Sequence, residues 1–225
     1  MYSNYLKYYV NPNLKYCSIL KPLYELQICK IFSKFTKYHY HFISCNRLGT
    51  KSWCKKCSKC AFIFLSLYPF LERNTLNKIF NDDLLNKKEN LILFQQLIGQ
   101  KDTKPFECVG TIEENKLAMN MSIKKNPKPY LLKQFSNTVE TNGNSNLLFE
   151  YDENNNIPKE LKHKLRYSTL KLLDIGLKSD IKETFKTNNN INNNNNPLNS
   201  SNIYIYFLML MLIIVIFQFS YSLKL

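Results

Sequence analysis

The sequence predicts a mainly α fold, an α/β fragment short of a complete sheet domain, followed by a disordered Asn-rich linker and one membrane-spanning helix. Three observations carry this reading. Apolar residues recur at loose helical spacing through much of residues 14–121, with turn and cap signals between the runs. Residues 188–196 are eight Asn and one Ile. Ile203–Leu223 reads IYIYFLMLMLIIVIFQFSYSL, 21 residues without a charge.

The elements follow in order. Pro22 suits the first position of a helix that runs through Leu23, Leu26 and Cys29 to about Phe32. Tyr38–Ser44 is rich in aromatics and includes Ile43, which allows a short strand. Ala61–Leu71, AFIFLSLYPFL, reads as a buried helix ending near Pro69. Asn74 can cap a short helix to Phe80. Lys88–Ile98 reads as another helix, with Gly99 as its left-handed terminator. Thr111 and Glu114 form a capping-box pattern that starts a helix to about Met121. Residues 136–156 are polar and Asn-rich, a loop, and Pro158 to about Phe185 recovers helical periodicity. The expected organisation is therefore a metal-binding fragment over 1–121, a helical and loop extension over 122–187, the linker 188–202 and the membrane helix 203–223.

The 21 residues of Ile203–Leu223 rise about 1.5 Å each and so span roughly 30 Å, the thickness of a bilayer core. Tyr204, Tyr206 and Tyr221 lie near its ends, where amphipathic rings favour the interface. The alternative, a buried core helix, is set aside because the run is too long and lacks a polar face. Only Lys224 and Leu225 follow it, so the expectation is a single-pass tail anchor with the bulk of the chain in the cytosol. Residues 1–10 lack the basic stretch and apolar core of a secretory signal.

The formal net charge is +14, which invites a nucleic-acid reading. That reading is set aside, because 28 of the 31 basic residues are Lys, spread along the chain, and only Arg47, Arg73 and Arg166 are Arg. Readers of phosphate and base edges favour the planar fork of Arg.

The chemistry concentrates in four of the seven cysteines. Cys45, Cys54, Cys57 and Cys60 have the spacing C-x8-C-x2-C-x2-C within 16 residues. In a reducing compartment such clusters are metal ligands rather than disulfides. Four thiolates at about 2.3 Å from a zinc ion sit roughly 3.8 Å apart. Cysteines at i, i+3 and i+6 of a straight helix rise about 9 Å and cannot converge on one ion. The backbone must therefore turn at 54–57 and offer Cys60 from the start of the next helix. Structural zinc is the favoured occupant; spacing alone leaves an iron–sulfur cluster or unmetallated thiols open. Arg47, Lys51, Lys55, Lys56 and Lys59 surround the cluster in sequence and can offset its charge. Cys29 reads as a core residue.

Taken in order, SILKPLYEL (18–26), SCNR (44–47), WCKKCSKCAFIFLSL (53–67) and KPFECVG (104–110) resemble the C-terminal part of the UDP-N-acetylmuramoyl-L-alanyl-L-glutamate epimerase family. The four-cysteine zinc site is also similar to that of cyanodeazaguanine synthase, another PP-loop adenylating enzyme. The resemblance covers roughly residues 14–120 and implies a partial PP-loop-like domain with a zinc knuckle. For a complete family member it implies adenylation of a carboxyl group followed by inversion of a glutamate. Lys104, Glu107 and Cys108 then become catalytic candidates, a Cys beside a Glu suggesting proton abstraction from an α-carbon. The plainer alternative is that this loop is packed by Pro105, Phe106 and Val109.

The phosphate cradle of that family needs clustered glycines, whose N–H groups approach phosphate closely. The five glycines here, 49, 99, 110, 143 and 176, include no adjacent pair. No ATP site is expected in this chain alone, nor hydrolysis of ATP. The favoured reading is a non-catalytic, membrane-tethered zinc domain. The alternatives are one half of a split enzyme, whose nucleotide-binding half is a separate protein partner, and a membrane-displayed adaptor.

Overall fold

The computed structural model describes residues 2–13, 17–47, 52–101, 103–106, 108–138 and 145–175. Its helices are α1 (Tyr2–Tyr5, continued by a π turn Leu6–Val10), α2 (Glu25–Ser33), α3 (Ser58–Leu67), α4 (Arg73–Phe80), α5 (Leu91–Leu97), α6 (Ile112–Ile123), α7 (Tyr130–Phe135) and α8 (Lys159–Leu172). The chain divides into two compact units. Among the described residues, one holds those up to Leu23 together with 151–175; the other runs from Tyr24 to Glu150.

No strand occurs among the described residues, which corrects the α/β expectation to a helical one there. Where a short strand was expected, Thr36–Tyr38 is a 3-10 turn and 42–46 has no regular structure. The aromatics of this stretch serve the core instead. Phe42 packs edge-on against Phe32 and Trp53 at 4.6 and 5.2 Å between ring centres. His39 pairs through Nε2 with the Phe32 carbonyl at 3.2 Å. With no neighbouring strand to pair its backbone, an isolated extended run gains nothing from strand geometry.

In the larger unit α3 is the central element. Every residue of α3 except Ile63 is buried, and it packs against α2, α4, α5 and α6. It ends at Leu67, two residues before Pro69, as a helix must when the ring cannot continue its hydrogen bonds. Just past that end, Lys125 Nζ donates to Tyr68 O at 2.9 Å and to Leu71 O at 2.7 Å. Burial pushes this ammonium below the usual lysine range.

The helix starts depart from expectation in two places. α2 begins at Glu25 rather than at Pro22, and Gln27 Oε1 accepts from Tyr24 N at 2.9 Å. In α4, Glu72 holds the cap position and Asn74 lies in the first turn. Two other expectations hold. Gly99 closes α5 with φ +72, a conformation that favours glycine. Thr111 caps α6 in the expected box: Glu114 N donates to Thr111 Oγ1 at 3.1 Å, and Thr111 N donates to Glu114 Oε2 at 2.8 Å. Helix α7 was not foreseen. Residues 136–156 are a loop as expected where described, apart from a 3-10 turn at Ser145–Leu148.

An aromatic ladder ties the cysteine segment to this core. Trp53 is buried, stacks on Phe80 at 4.2 Å and meets Phe42 edge-on; Phe80 in turn meets Phe64 of α3 at 5.0 Å. Trp53→Ala is expected to destabilise the larger unit by about 3–5 kcal/mol, the usual range for removing a large buried aromatic. Urea denaturation of the parent and variant chains measures it.

In the smaller unit, Leu6, Leu20, Ile157, Leu165, Leu170 and Leu173 are buried. Asp152 N donates to Pro22 O at 3.0 Å. Arg166 pairs with Glu153 at 2.8 Å, beside Lys162 at 3.3 Å from the same carboxylate. Among the described residues no helix is long and apolar enough to cross a membrane. The end of the expected last helix (176–185), the linker 188–202 and the apolar run 203–223 lie outside the described residues.

Candidate metal centre

The four cysteines singled out by spacing meet in space. The Sγ atoms of Cys45, Cys54, Cys57 and Cys60 all lie within 4.8 Å of one another. Two of the gaps are 3.9 Å (Cys45–Cys57) and 3.7 Å (Cys54–Cys60). A tetrahedral ion with bonds of about 2.3 Å asks for roughly 3.8 Å. Four cysteines so arranged could hold a metal ion, and their soft sulfur donors suit a thiolate-binding metal.

Local structure explains the convergence. Trp53 fixes one end of the loop through the aromatic ladder. Lys55 then adopts φ +64, the left-handed turn that reverses the chain between Cys54 and Cys57. Cys57 is the N-cap of α3, and its Sγ accepts from Cys60 N at 3.4 Å. Cys60 sits in the first turn of α3 and is fully buried, while the other three are half-buried. The reversal at 54–57 and the delivery of Cys60 from the following helix are both present.

The electrostatics favour a thiolate at the cap. Hydrogen bonds from Cys60, first from its thiol and then from its backbone N–H, pull Cys57 down to about 4. The same thiol contact, with burial, pushes Cys60 well above the usual thiol range; burial raises Cys54. A bound cation would replace these shared protons. Of the nearby lysines, Lys55 donates to Asn81 O at 3.1 Å. Lys59 donates to Cys108 O and lies 3.9 Å from the Glu25 carboxylate.

Lys59 also links the centre to a second feature. A cavity of about 170 Å³ opens between α2 and α3, walled by Ile28, Cys29, Phe32, Phe42, Ile63 and Leu67 and rimmed by Glu25, Ser44, Lys59 and Cys108. Burial raises the Glu25 carboxyl against the pull of Lys59 and, more weakly, of Lys104. Burial likewise pushes the Cys29 thiol up. Of the three catalytic candidates, Cys108 is exposed at this rim and Lys104 is not among the residues that line it. Glu107 lies outside the described residues. The Glu25–Lys59 pair went unread in the sequence. These residues are 34 positions apart, and neither carries a local signal.

Gly110 closes the same loop onto α6 with φ +62; a Cβ there would sit 2.9 Å from Phe62 Cε2 and 3.2 Å from Glu114 Oε2. Glu114 is buried, and its Oε1 accepts from Leu26 N at 3.1 Å. One carboxylate therefore ties the start of α6 to the first turn of α2. Buried Asn115 adds Nδ2 bonds of 2.8 Å to both Val109 O and Thr111 O.

Comparison with known proteins agrees with this core. Residues 41–146 match the family model of the MurL C-terminal domain. A UDP-N-acetyl-alpha-D-muramoyl-L-alanyl-L-glutamate epimerase of Xanthomonas oryzae pv. oryzae is 38% identical over 125 residues, covering 52% of this chain and 28% of that protein. Epimerases of the same name from Micromonospora sp. and Salinispora tropica are 37% and 38% identical over 111 residues. Each match covers 47% of this chain and, respectively, 25% and 24% of the relative. The chain spans about a quarter of the length of the curated relatives it matches. No solved structure matches it.

Proposed function

We propose, from the likeness of residues 41–146 to the MurL C-terminal domain, that this chain is a membrane-tethered, zinc-held domain of epimerase type that performs no adenylation by itself. The observation that carries the reading is the four-sulfur cluster at the head of the central helix, inside the matched region. Sulfur gaps of 3.7 and 3.9 Å fit one tetrahedral ion. A multi-iron cluster interposes several atoms between its thiolates and spreads them beyond the 4.8 Å found here. Four protein ligands leave no open position, so the ion would join loops and would not activate water.

Catalytic silence rests on the glycines. Adenylation needs backbone N–H groups that wrap phosphate, and none of the five glycines in this sequence adjoins another. The relatives are about four times longer than the matched stretch, room enough for a nucleotide-binding part. The apolar run 203–223 would hold the domain at a membrane.

A second reading, half of a split epimerase, is favoured by one observation: Cys108, Lys59 and Glu25 rim an accessible cavity beside the metal centre. One assay separates the two readings. The full chain is incubated with ATP and a muramoyl-L-alanyl-L-glutamate nucleotide, and pyrophosphate release is followed, with and without the N-terminal part of a relative. No release in either mixture is expected. Release from the mixture, with none from either component alone, would overturn catalytic silence in favour of the split enzyme.

A further inference from the structure

The helical segment Tyr2–Val10 carries an aromatic face that the described residues leave exposed. Leu6 is buried, while Tyr5, Tyr8, Tyr9 and Val10 are 55, 71, 78 and 60% exposed. The rings form one surface: Tyr5 and Tyr9 stack at 5.4 Å, and Lys7 Nζ lies 5.6 Å from the centre of the Tyr8 ring. Residues 2–13 contain Lys7 and no acidic side chain.

We propose that this segment docks on an anionic lipid surface, its tyrosines seated at headgroup depth, as a second membrane contact beside residues 203–223. The inference rests on the reading of that apolar run as a membrane segment. Tyrosine suits this occupant: its ring prefers the acyl boundary and its hydroxyl the wet side. Lys7 adds attraction to anionic headgroups. Connectivity supplies the reason for lipid rather than protein. The unit that contains Tyr2–Val10 also contains the chain up to residue 175, and the apolar run begins at 203. The 27 intervening residues reach at most about 95 Å when fully extended. Once 203–223 is inserted, the tyrosines are confined near the bilayer at high effective concentration, where a weak contact is populated.

The test uses the full chain with Tyr9→Trp, reconstituted in phosphatidylcholine vesicles with and without phosphatidylserine. The parent chain gives the background of buried Trp53. Co-flotation reports the apolar run, and the new tryptophan reports the segment. The proposal expects co-flotation, quenching of position 9 by brominated acyl chains, and a roughly two-fold fall in its acrylamide quenching relative to a Tyr5→Ser, Tyr8→Ser, Tyr9→Trp chain. Brominated-chain quenching should be stronger with phosphatidylserine. Co-flotation with full acrylamide access and no bromine quenching overturns the docking and leaves the membrane segment standing. Protection from acrylamide without bromine quenching means that protein covers the segment, and also overturns it. Failure to co-float overturns the membrane reading itself and the docking with it.

Discussion

A Cys57→Ser chain is expected to purify with almost no metal and to lose the folded larger unit, while Cys17→Ser keeps both. The choice of serine separates two roles. Cys57 is both a sulfur of the cluster and the N-cap of α3, and serine is itself a strong N-cap. The helix start is thus preserved, and the loss reports the metal. Structural zinc contributes roughly 10 kcal/mol or more to folding in small zinc peptides. Losing one of four ligands should therefore outweigh any other single change in the chain. Cys17 is half-buried and belongs to the other unit. Elemental analysis and urea denaturation of the three chains measure the effect. Equal metal loss in Cys17→Ser and Cys57→Ser would sink the ligand assignment.

The second large effect is expected at Glu114. Its two carboxylate oxygens accept from Thr111 N and from Leu26 N, 88 residues away. Removing the side chain leaves two backbone donors unpaired, at about 1–3 kcal/mol each where they are buried. Glu114→Ala should therefore cost about 2–6 kcal/mol of unfolding free energy, mostly by loosening α2 from α6. Glu114→Gln keeps one acceptor oxygen and should fall between the two. Hydrogen exchange at Leu26 N and Thr111 N checks the mechanism: both should exchange faster in Glu114→Ala. A loss below about 1 kcal/mol would mean that water replaces the carboxylate without penalty.

The same residue marks how far the sequence could be read. The capping box at Thr111–Glu114 is local and was legible, and so was the left-handed Gly99. The reach of Glu114 to α2 was not, because nothing near position 114 encodes a partner 88 residues earlier. The convergence of the four cysteines was legible for the same reason as the box: it follows from their spacing and helix rise within 16 residues. The cavity beside it was not, since Glu25 and Lys59 meet only through the packing of α2 on α3. Helix α7 spans six residues behind Pro129, too short a run to show a period. The strand expected at 38–44 does not form, because aromatic content alone does not specify extension. Phe42 serves the ladder that holds Trp53, and through it the cysteine turn.

The most direct measurement is the metal content of the full chain purified under reducing conditions without added metal. The proposed structure predicts about one zinc per chain, held through dialysis and released only when the chain is unfolded or acidified. A chain that folds cooperatively with no bound metal would contradict it.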